Sequence, residues 1–241
     1  MNWLQSIGGF FVAQWQELSQ GIYLNFVKNA RWQYLTDGLV VTLEVAFCAV
    51  LLGATLGFVV AVIRSTYDKH GRLPFLNALC RLYLTVIRGT PMVVQLLIAY
   101  FVIFASINNK VLVAIVAFGV NSGAYVAEII RGGINSIEPG QMEAGRSLGL
   151  SYFQTMWTIV LPQAVKNVLP ALGNEFIVLL KETSVAGYIA LQDLTKGGDI
   201  IRSQTYAAFL PFFAVAAIYL ALVMLFTWLL GILERRLQSH V

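Results

Sequence analysis

The sequence predicts an all-α membrane protein with about five transmembrane helices, on two observations. The first is composition: of 241 residues, 58% are hydrophobic and only 12% are charged, about half the charged share of an ordinary soluble domain. The second is a set of five apolar stretches, each near the roughly 20 residues that cross a hydrocarbon core of about 30 Å. So little charge cannot cover a surface that faces water, and we therefore predict that lipid is the solvent.

The five predicted spans are not equally apolar. They run from Gly38 to Ile63, Leu82 to Ser106, Val111 to Ile130, Val165 to Gly187 and Tyr206 to Leu233. The second is interrupted by the sequence Arg-Gly-Thr-Pro at positions 88–91. The fourth contains Glu175, Lys181 and Glu182, whereas the fifth contains no charged residue. Proline and glycine inside the second span predict a break in its helix.

Basic residues are concentrated in particular loops, which predicts the orientation in the membrane. Four cations and one anion lie between the first two spans, and two cations follow the last: Arg64, Lys69, Arg72, Arg81, Asp68, Arg235 and Arg236. Because cytoplasmic loops carry an excess of Lys and Arg, we predict an external N-terminus and a cytoplasmic C-terminus. Lys28 and Arg31 count against this assignment. The net charge of +4 is explained by membrane orientation better than by nucleic-acid binding.

Three regions are predicted along the chain. Residues 1–36 form an N-terminal segment, in which the aromatic, amphipathic stretch Phe10 to Tyr34 predicts an interfacial helix rather than a sixth span. Residues 37–233 form the transmembrane domain, and residues 234–241 form a cytoplasmic tail. Within the first span, Gly53 and Gly57 have the spacing that allows two helix backbones to approach closely, although glycine is also a common filler in membrane helices.

The predicted cytoplasmic loop 136–162 has helix signals instead of the irregular polarity of a simple connector. Pro139 can begin a helix and Gly149 can end it, Ser151 can cap a second helix, and Pro162 marks its limit. The two helices would carry apolar faces made of Met142, Leu148, Leu150, Phe153 and Met156. Such a pair suits docking into the groove of a partner protein; a helix pair lying on the lipid surface is the alternative.

These residues resemble the EAA loop of ABC-importer permease subunits. That pattern is E-A-A, three residues, G, nine residues, I, one residue, and L-P. The chain has Glu143-Ala144-Gly145, then Gly149, then Ile159 and Leu161-Pro162, all at the family spacing. It departs from the pattern only at Gly145, which replaces the second alanine, permits close packing and lowers helix propensity.

The resemblance covers about residues 35 to 237 and is closest to the polar amino-acid permeases. It extends through the segments 88–91 (RGTP), 124–128 (AYVAE), 131–133 (RGG), 173–175 (GNE) and 181–184 (KETS). It implies the type I ABC importer fold, location as a multi-pass protein in a bacterial cytoplasmic (inner) membrane, and a coupling helix pair at the EAA motif. The Asn174-Glu175 pair resembles permeases of arginine, histidine and lysine more than those of glutamine.

The same resemblance implies partners. Two permease subunits, identical or related, would form the pore, ABC ATPase subunits would bind the coupling helices, and an extracytoplasmic amino-acid-binding protein would deliver the substrate. The sequence has no GxxxxGK[ST] phosphate loop. We therefore expect ATP to be bound and hydrolysed by a separate chain, and we expect no cofactor, metal or nucleic acid in this one.

Polar residues within the predicted spans are the candidates for contact with substrate, because such residues usually face a cavity or a partner. They are Glu175, Glu44, Asn121 and Gln95. Each has an alternative: Glu175 could pair with Lys181, Glu44 has an equally good structural interpretation, and the two amides could form interhelical hydrogen bonds.

Three further residues are assigned to gating or structure. Arg88 and Glu128 lie towards the predicted cytoplasmic side, where they could pair with each other. Pro91 can open the helix backbone at the depth of a pathway, as can Pro170.

Two other classes of function compete with an importer subunit. A stand-alone ion-coupled carrier or channel would need no cytoplasmic docking helices and leaves the 143–162 pattern unexplained. A membrane-bound enzyme is disfavoured because the sequence has no HExxH motif or Ser/His/Asp set, and its two histidines, His70 and His240, lie in a predicted loop and the tail.

Overall fold

A computed structural model describes residues 14–238, and this part of the chain is helical with no β-strand. A helix over residues 14–22 (α1) leads through a π-helical turn, Tyr23–Val27, and a 3-10 turn, Lys28–Ala30. The first residues of the predicted interfacial helix, 10–13, lie outside the described range, as do residues 239–241 of the predicted tail. Whether α1 lies at a membrane interface stays a prediction.

The first span is the long helix α2, Trp32–His70. It begins inside the predicted N-terminal segment and extends past Ile63 into the basic loop. The helix ends at Gly71, which has a left-handed backbone with φ +62° that glycine adopts at no steric cost.

The second predicted span is a bent pair of helices. α3 comprises Pro74–Gly89, and α4 comprises Met92–Ile98 with a π-helical turn, Ala99–Ile103, after it. The two parts meet at an angle of 111°, which confirms the predicted break at residues 88–91. The helix itself begins before the predicted start of the span at Leu82, at Pro74, which occupies the first turn, where its missing N–H has no partner to lose.

Four further helices complete the bundle: α5 (Lys110–Asn135), α8 (Leu161–Glu182), α9 (Leu194–Thr205) and α10 (Phe209–Gln238). The two short helices between α5 and α8, α6 and α7, lie in the region 139–160 and are described with the candidate site. α8 runs without a break through Pro170 and continues as a 3-10 turn, Thr183–Ile189. The sequence did not predict α9. It begins where the Asp193 carboxylate accepts hydrogen bonds from the backbone N–H groups of Lys196, at 2.9 Å, and Thr195, at 3.2 Å.

Several of these helices have the length of a membrane span. Three are long and apolar enough: Trp32–Lys69, Lys110–Asn135 and Phe209–Leu237. The bent pair α3–α4 makes a fourth if it is one span. α8 has 22 residues, about 33 Å at 1.5 Å per residue, and is less apolar because it carries Lys166, Glu175, Lys181 and Glu182. It would be the fifth span, which stays a prediction.

Two small residues bring α2 and α5 into close contact. A Cβ added at Gly53 would lie 2.9 Å from the Ser122 Cβ, and one added at Gly57 would lie 2.7 Å from the Val126 Cβ. Real Cβ atoms do not approach so closely, so only glycine fits at either position. The glycine spacing in the first span therefore serves helix packing, as its small-residue pattern suggested.

We expect Gly57→Leu to prevent normal assembly of the bundle, because the side chain would also meet the Gly123 carbonyl oxygen of the facing backbone, 2.8 Å from the added Cβ. Overpacking of this kind costs about 1–3 kcal/mol, or more where backbone must move. The yield of monodisperse protein in detergent and its thermal unfolding midpoint measure the effect. Gly231→Leu in α10 is the matched control, since a Cβ there meets nothing within 4 Å; equal loss in both variants would contradict the packing argument.

At the end of the bundle opposite residues 139–160, α9 joins the N-terminal turns to α2. The Leu194 N–H donates to the Thr42 hydroxyl at 3.1 Å, and the Thr205 hydroxyl donates to the Asn25 amide oxygen at 2.8 Å. The Arg31 guanidinium donates to the Gln204 amide oxygen at 3.0 Å. The two ends of the molecule are therefore each closed by short helices outside the main spans.

Candidate coupling elbow and polar pathway

Residues 139–160 form two short helical pieces with a sharp turn between them, which we name the elbow. α6 comprises Pro139–Ser147, α7 comprises Tyr152–Thr155, and a π-helical turn, Met156–Val160, follows. Gly149 has φ +84°, a conformation that L side chains rarely adopt. The Leu150 N–H donates to the Gly145 carbonyl oxygen across the turn at 3.2 Å. The predicted pair of helices and its turn at Gly149 are confirmed.

Ser151 begins the second arm of the elbow with a capping box. Its hydroxyl accepts from the Gln154 N–H at 3.2 Å, and its own N–H donates to the Gln154 side-chain oxygen at 2.8 Å. The backbone N–H groups of Ser151 and Gln154 are thereby satisfied, which fixes the direction in which the chain leaves the turn.

The predicted limit at Pro162 is wrong. The π-helical turn passes directly into α8, which begins at Leu161, so Pro162 lies in the first turn of a span and does not end the elbow. The Leu161 N–H bonds the Met156 carbonyl oxygen, five residues back. Proline is tolerated in a first turn, and the wide turn accommodates the change of register. The elbow therefore continues directly into α8.

Gly145 is the point of closest approach between the two arms. A Cβ at this position would lie 2.9 Å from the Thr155 hydroxyl oxygen and 3.0 Å from the Ile159 Cδ1, with the Thr155 methyl group nearer still. Gly145 and Thr155 are buried, whereas Glu143 and Ala144 on the same helix are exposed. The glycine that departs from the EAA pattern thus lets α6 lie against the turn that leads into α8.

The elbow is connected to three spans. It is continuous with α8, and the Lys69 ammonium of α2 donates to the Tyr152 hydroxyl at 2.5 Å. Beside the elbow, the Asn167 amide of α8 donates to the hydroxyl of Ser136, just after α5, at 2.8 Å. A force on the elbow would therefore reach α2, α5 and α8 together.

The apolar residues predicted on the elbow divide into two groups. Leu148 stands at the tip of the turn with 81% of its surface exposed. Met142, Leu150 and Met156 are half-buried, and exposed Phe153 faces the spans beside Trp157, with ring centroids 5.9 Å apart. The tip is therefore the part of the elbow that projects away from the bundle.

Gln95 bonds to the break in the second span. Its side-chain nitrogen lies 2.7 Å from the Ile87 carbonyl oxygen, 3.0 Å from that of Thr90 and 2.8 Å from the Thr90 hydroxyl. The Asn121 amide of α5 donates to the Gln95 side-chain oxygen at 3.0 Å. Backbone groups freed by the 111° bend would be costly in hydrocarbon. The Gln95 amide therefore satisfies carbonyl groups of the broken backbone, and Asn121 of α5 holds that amide in place, in agreement with the interhelical alternative.

Glu175 is bound by the residue next to Asn121. The Ser122 hydroxyl donates to a Glu175 carboxylate oxygen at 2.8 Å, linking α5 to α8. The alternative partner, Lys181, is exposed, and the described residues contain no ion pair between the two. Ser122 lies midway along α5, which places this carboxylate at the depth where transporter sites are commonly found.

Glu44 lies apart from the other candidates. It is exposed on α2, on a turn whose neighbours Val45 and Ala46 are buried against the bundle. Two of the four candidates, Gln95 and Glu175, thus contact consecutive positions of α5, the first of which is the third candidate, Asn121; Glu44 does not. A carboxylate on the outside of one subunit faces either lipid or another protein.

Arg88 and Glu128 lie in a basic cluster. The Arg88 and Glu128 side chains are 4.0 Å apart, and Arg64 approaches the same carboxylate at 3.6 Å. Together with Arg81 they line a cavity of about 420 Å³. Three guanidinium groups and one carboxylate line this cavity, so its lining carries a net positive charge. Pro91, extended with φ −65° and ψ 138°, begins α4 a few residues beyond this cluster.

Sequence reasoning missed several of these partners. Ser122, Lys69, Tyr152 and Arg64 were not candidates, because a hydroxyl or a loop cation carries no signal until its three-dimensional neighbour is known. Among these residues only Ser122 gave a partial signal, because it is a polar residue inside a predicted span and stands next to the candidate Asn121.

Comparison with known proteins gives a consistent answer. Residues 53–239 match the family described as binding-protein-dependent transport system inner membrane component. A putative glutamine transport system permease protein, GlnP, from Rickettsia typhi is 38% identical over 207 residues, 85% of this chain and 93% of the relative. The arginine transport system permease protein ArtQ of Bacillus subtilis is 36% identical over 210 residues, 86% of this chain and 94% of the relative.

A solved structure supports the same family. A chain from the crystal structure of an amino acid ABC transporter with histidines is 41% identical and aligns with a TM-score of 0.80, covering 88% of this chain and 98% of that one. The all-helical bundle and the bent second span therefore belong to the type I ABC importer fold, in which ATP is hydrolysed by a separate chain. This chain belongs to the binding-protein-dependent transport system inner membrane component family and is the permease of an amino-acid ABC transporter.

Proposed function

We propose that this permease carries a polar amino acid with a basic side chain, of the arginine, histidine and lysine class, along a path that passes Glu175. The Glu175–Ser122 hydrogen bond supports the proposal, because it holds a carboxylate half-way along α5, where a cationic side chain would find a partner. The names of the relatives include both a glutamine and an arginine system. The carboxylate favours the basic substrate.

The tip of the elbow binds the ATPase in this proposal. Leu148 and the exposed side chains of Glu143 and Arg146 offer an apolar and charged projection that suits a cleft. Because the elbow joins α2, α5 and α8, closure of an ATPase pair on ATP would move three spans at once. The ATP requirement of transport then belongs entirely to the partner chain, and this chain needs no cofactor.

The remaining partners occupy the other surfaces. A second permease subunit, identical or related, completes the pore, and Arg64, Arg88 and Glu128 lie near its cytoplasmic mouth as gating or structural residues. The amino-acid-binding protein docks at the opposite end, beside α9. There Lys196 and Arg202 donate to Asp199 at 2.8 and 2.7 Å and lower the pKa of its carboxyl, so this charged group stays ionised at neutral pH.

Orientation in the membrane is part of the proposal: elbow and C-terminus in the cytoplasm, N-terminus outside. A variant without the two native cysteines, Cys48→Ala and Cys80→Ala, receives a single new cysteine by Ser147→Cys at the elbow. We expect an impermeant maleimide to label it in inside-out vesicles and not in whole cells, and we expect the ATPase subunit to protect it.

Tyr206→Cys in the same background is the matched control, because Tyr206 is 96% exposed at the other end of the bundle. Its labelling should follow the reverse pattern and should not change when the ATPase is present. Labelling of the elbow cysteine from outside the cell, or equal labelling with and without the ATPase, would contradict the proposed coupling role.

A further inference from the structure

A long groove lies on one side of the spans and reaches from the middle of α2 to the elbow. It has a volume of about 580 Å³, within the range of small-molecule sites. α2, α5 and α8 form its walls, and the elbow closes one end with Tyr152, Phe153 and Trp157. None of the pathway candidates Gln95, Asn121 or Glu175 lines it, so it is separate from the proposed substrate path.

The groove has the dimensions of one leaflet. Its α2 wall runs from Ala54 to Lys69, about 22 Å at 1.5 Å per residue. Half of a typical hydrocarbon core is about 15 Å thick, so the groove covers the leaflet on the elbow side and the headgroup zone beyond it. A partner protein in the aqueous phase could not reach Ala54 through this depth.

Charge is confined to the mouth. Lys69 is the one charged side chain among the lining residues in the part of the chain that the structure describes, and it lies where a headgroup would be. The hydroxyl of Thr66 bonds the Val62 carbonyl oxygen at 2.8 Å, so this wall offers little polarity of its own. Apart from Ser65, the rest is aliphatic and aromatic, including Phe58, Leu169 and Leu172.

We propose that this groove binds an anionic phospholipid, with an acyl chain between α2 and α8 and its phosphate group on Lys69. An ammonium group has three donors; Lys69 uses one on the Tyr152 hydroxyl, which leaves two for phosphate oxygens. A basic site at the membrane edge of a groove between helices is the usual arrangement for anionic headgroups. The lipid would lie directly against the elbow, so its binding would bias the position of the coupling element.

Tryptophan fluorescence tests the proposal on the full chain in vesicles. Trp157 lines the groove, and the sequence has only five tryptophans. A variant with the other four changed to phenylalanine is placed in phosphatidylcholine vesicles containing equal mole fractions of either phosphatidylglycerol or phosphatidylcholine with brominated acyl chains. We expect the anionic lipid to quench Trp157 more strongly. We expect Lys69→Gln to lower the relative binding constant about fivefold, the equivalent of one cation near a membrane surface, and Lys69→Arg to keep it.

Two controls separate the groove from bulk lipid and from general charge. Arg72→Gln removes an exposed cation that does not line the groove and should leave the preference unchanged. A chain whose single tryptophan comes from Leu220→Trp, at a site on α10 that is 61% exposed, should show no headgroup preference. Equal quenching of Trp157 by both lipids, or a preference that persists in Lys69→Gln, would overturn the proposal.

A protein in the groove, instead of a lipid, would give a different quenching result in the same experiment. If a second copy of the chain filled the groove, Trp157 would not be quenched while the Leu220→Trp reporter was, and the lipid proposal would be overturned. The measurement uses neither ATP nor substrate. Its failure would leave the proposed transport function standing, and a failed coupling test would leave the lipid site standing.

Discussion

Replacing Gly145 with leucine should lower ATP-driven uptake about tenfold or more while leaving the spans assembled. A Cβ at this position already lies 3.0 Å from Ile159 and closer to Thr155, so a leucine must force α6 away from the turn that leads into α8. Overpacking of this size costs about 1–3 kcal/mol, and 1.4 kcal/mol is a tenfold change in an equilibrium. Uptake into proteoliposomes containing the permease, the ATPase and the binding protein measures the effect.

Gly132→Leu is the matched control, because this glycine at the end of α5 is exposed and an added Cβ meets nothing within 4 Å. It should transport nearly normally. The yield and unfolding midpoint of Gly145→Leu should match those of the control if only the elbow is displaced. Normal uptake by Gly145→Leu would show that the packing of the two arms does not transmit the force, and an unfolded bundle would contradict the expectation that only the elbow is displaced.

A compensating pair tests the same contact without a large side chain. Gly145→Ala restores the second alanine of the EAA pattern, but here its Cβ would press on the Thr155 methyl group, so we expect reduced uptake. Adding Thr155→Ser removes that methyl and keeps the hydroxyl that bonds the Ser151 carbonyl oxygen at 3.0 Å. Recovery in the double variant would show coupling between the two positions, as a double-mutant cycle does for residues in contact. No recovery would mean that the contact with the Thr155 methyl group is not the cause.

The elbow could be predicted from the sequence because its signals are local. Pro139 at a helix start, Gly149 at a positive φ and Ser151 as a cap each act on neighbouring backbone, so their meaning does not depend on the rest of the fold. Pro162 was misread for the opposite reason. A proline at that position can end one helix or begin the next, and the π-helical turn that decides between them depends on how α6 packs against Ile159.

The pathway was less predictable because polar groups in a span are interpreted by their partners. Gln95 was a candidate for substrate contact, yet its amide is occupied by the carbonyl oxygens of a bend that the sequence predicted independently. Glu44 and Glu175 are the same residue type inside predicted spans, but one is exposed on the outside of α2 and the other is bound to Ser122. The rotation of each helix about its own axis decides which of its side chains face the bundle. Packing against neighbouring helices sets that rotation.

Glu175→Gln should reduce uptake of arginine by about 10- to 100-fold, because a hydrogen bond to a charged group is worth about 1.5–3 kcal/mol more than none. Uptake of glutamine by the same reconstituted importer should fall much less, since an amide can still bond a neutral side chain. The ratio of the two initial rates, measured with the binding protein in excess, is the quantity that changes. The expected effect is on substrate selection and not on assembly.

Two matched variants decide between a substrate contact and a structural one. Ser122→Ala removes the 2.8 Å hydrogen bond to Glu175 and keeps the carboxylate, so it should preserve the preference for arginine. Glu44→Gln removes a carboxylate of the same type from the exposed face of α2 and should change neither rate. If Glu175 served only to join α5 to α8, Ser122→Ala and Glu175→Gln would lower both rates together and the ratio would stay constant. A ratio that falls in Glu175→Gln alone requires the charge itself, half-way through the bundle, to recognise the cation in transit.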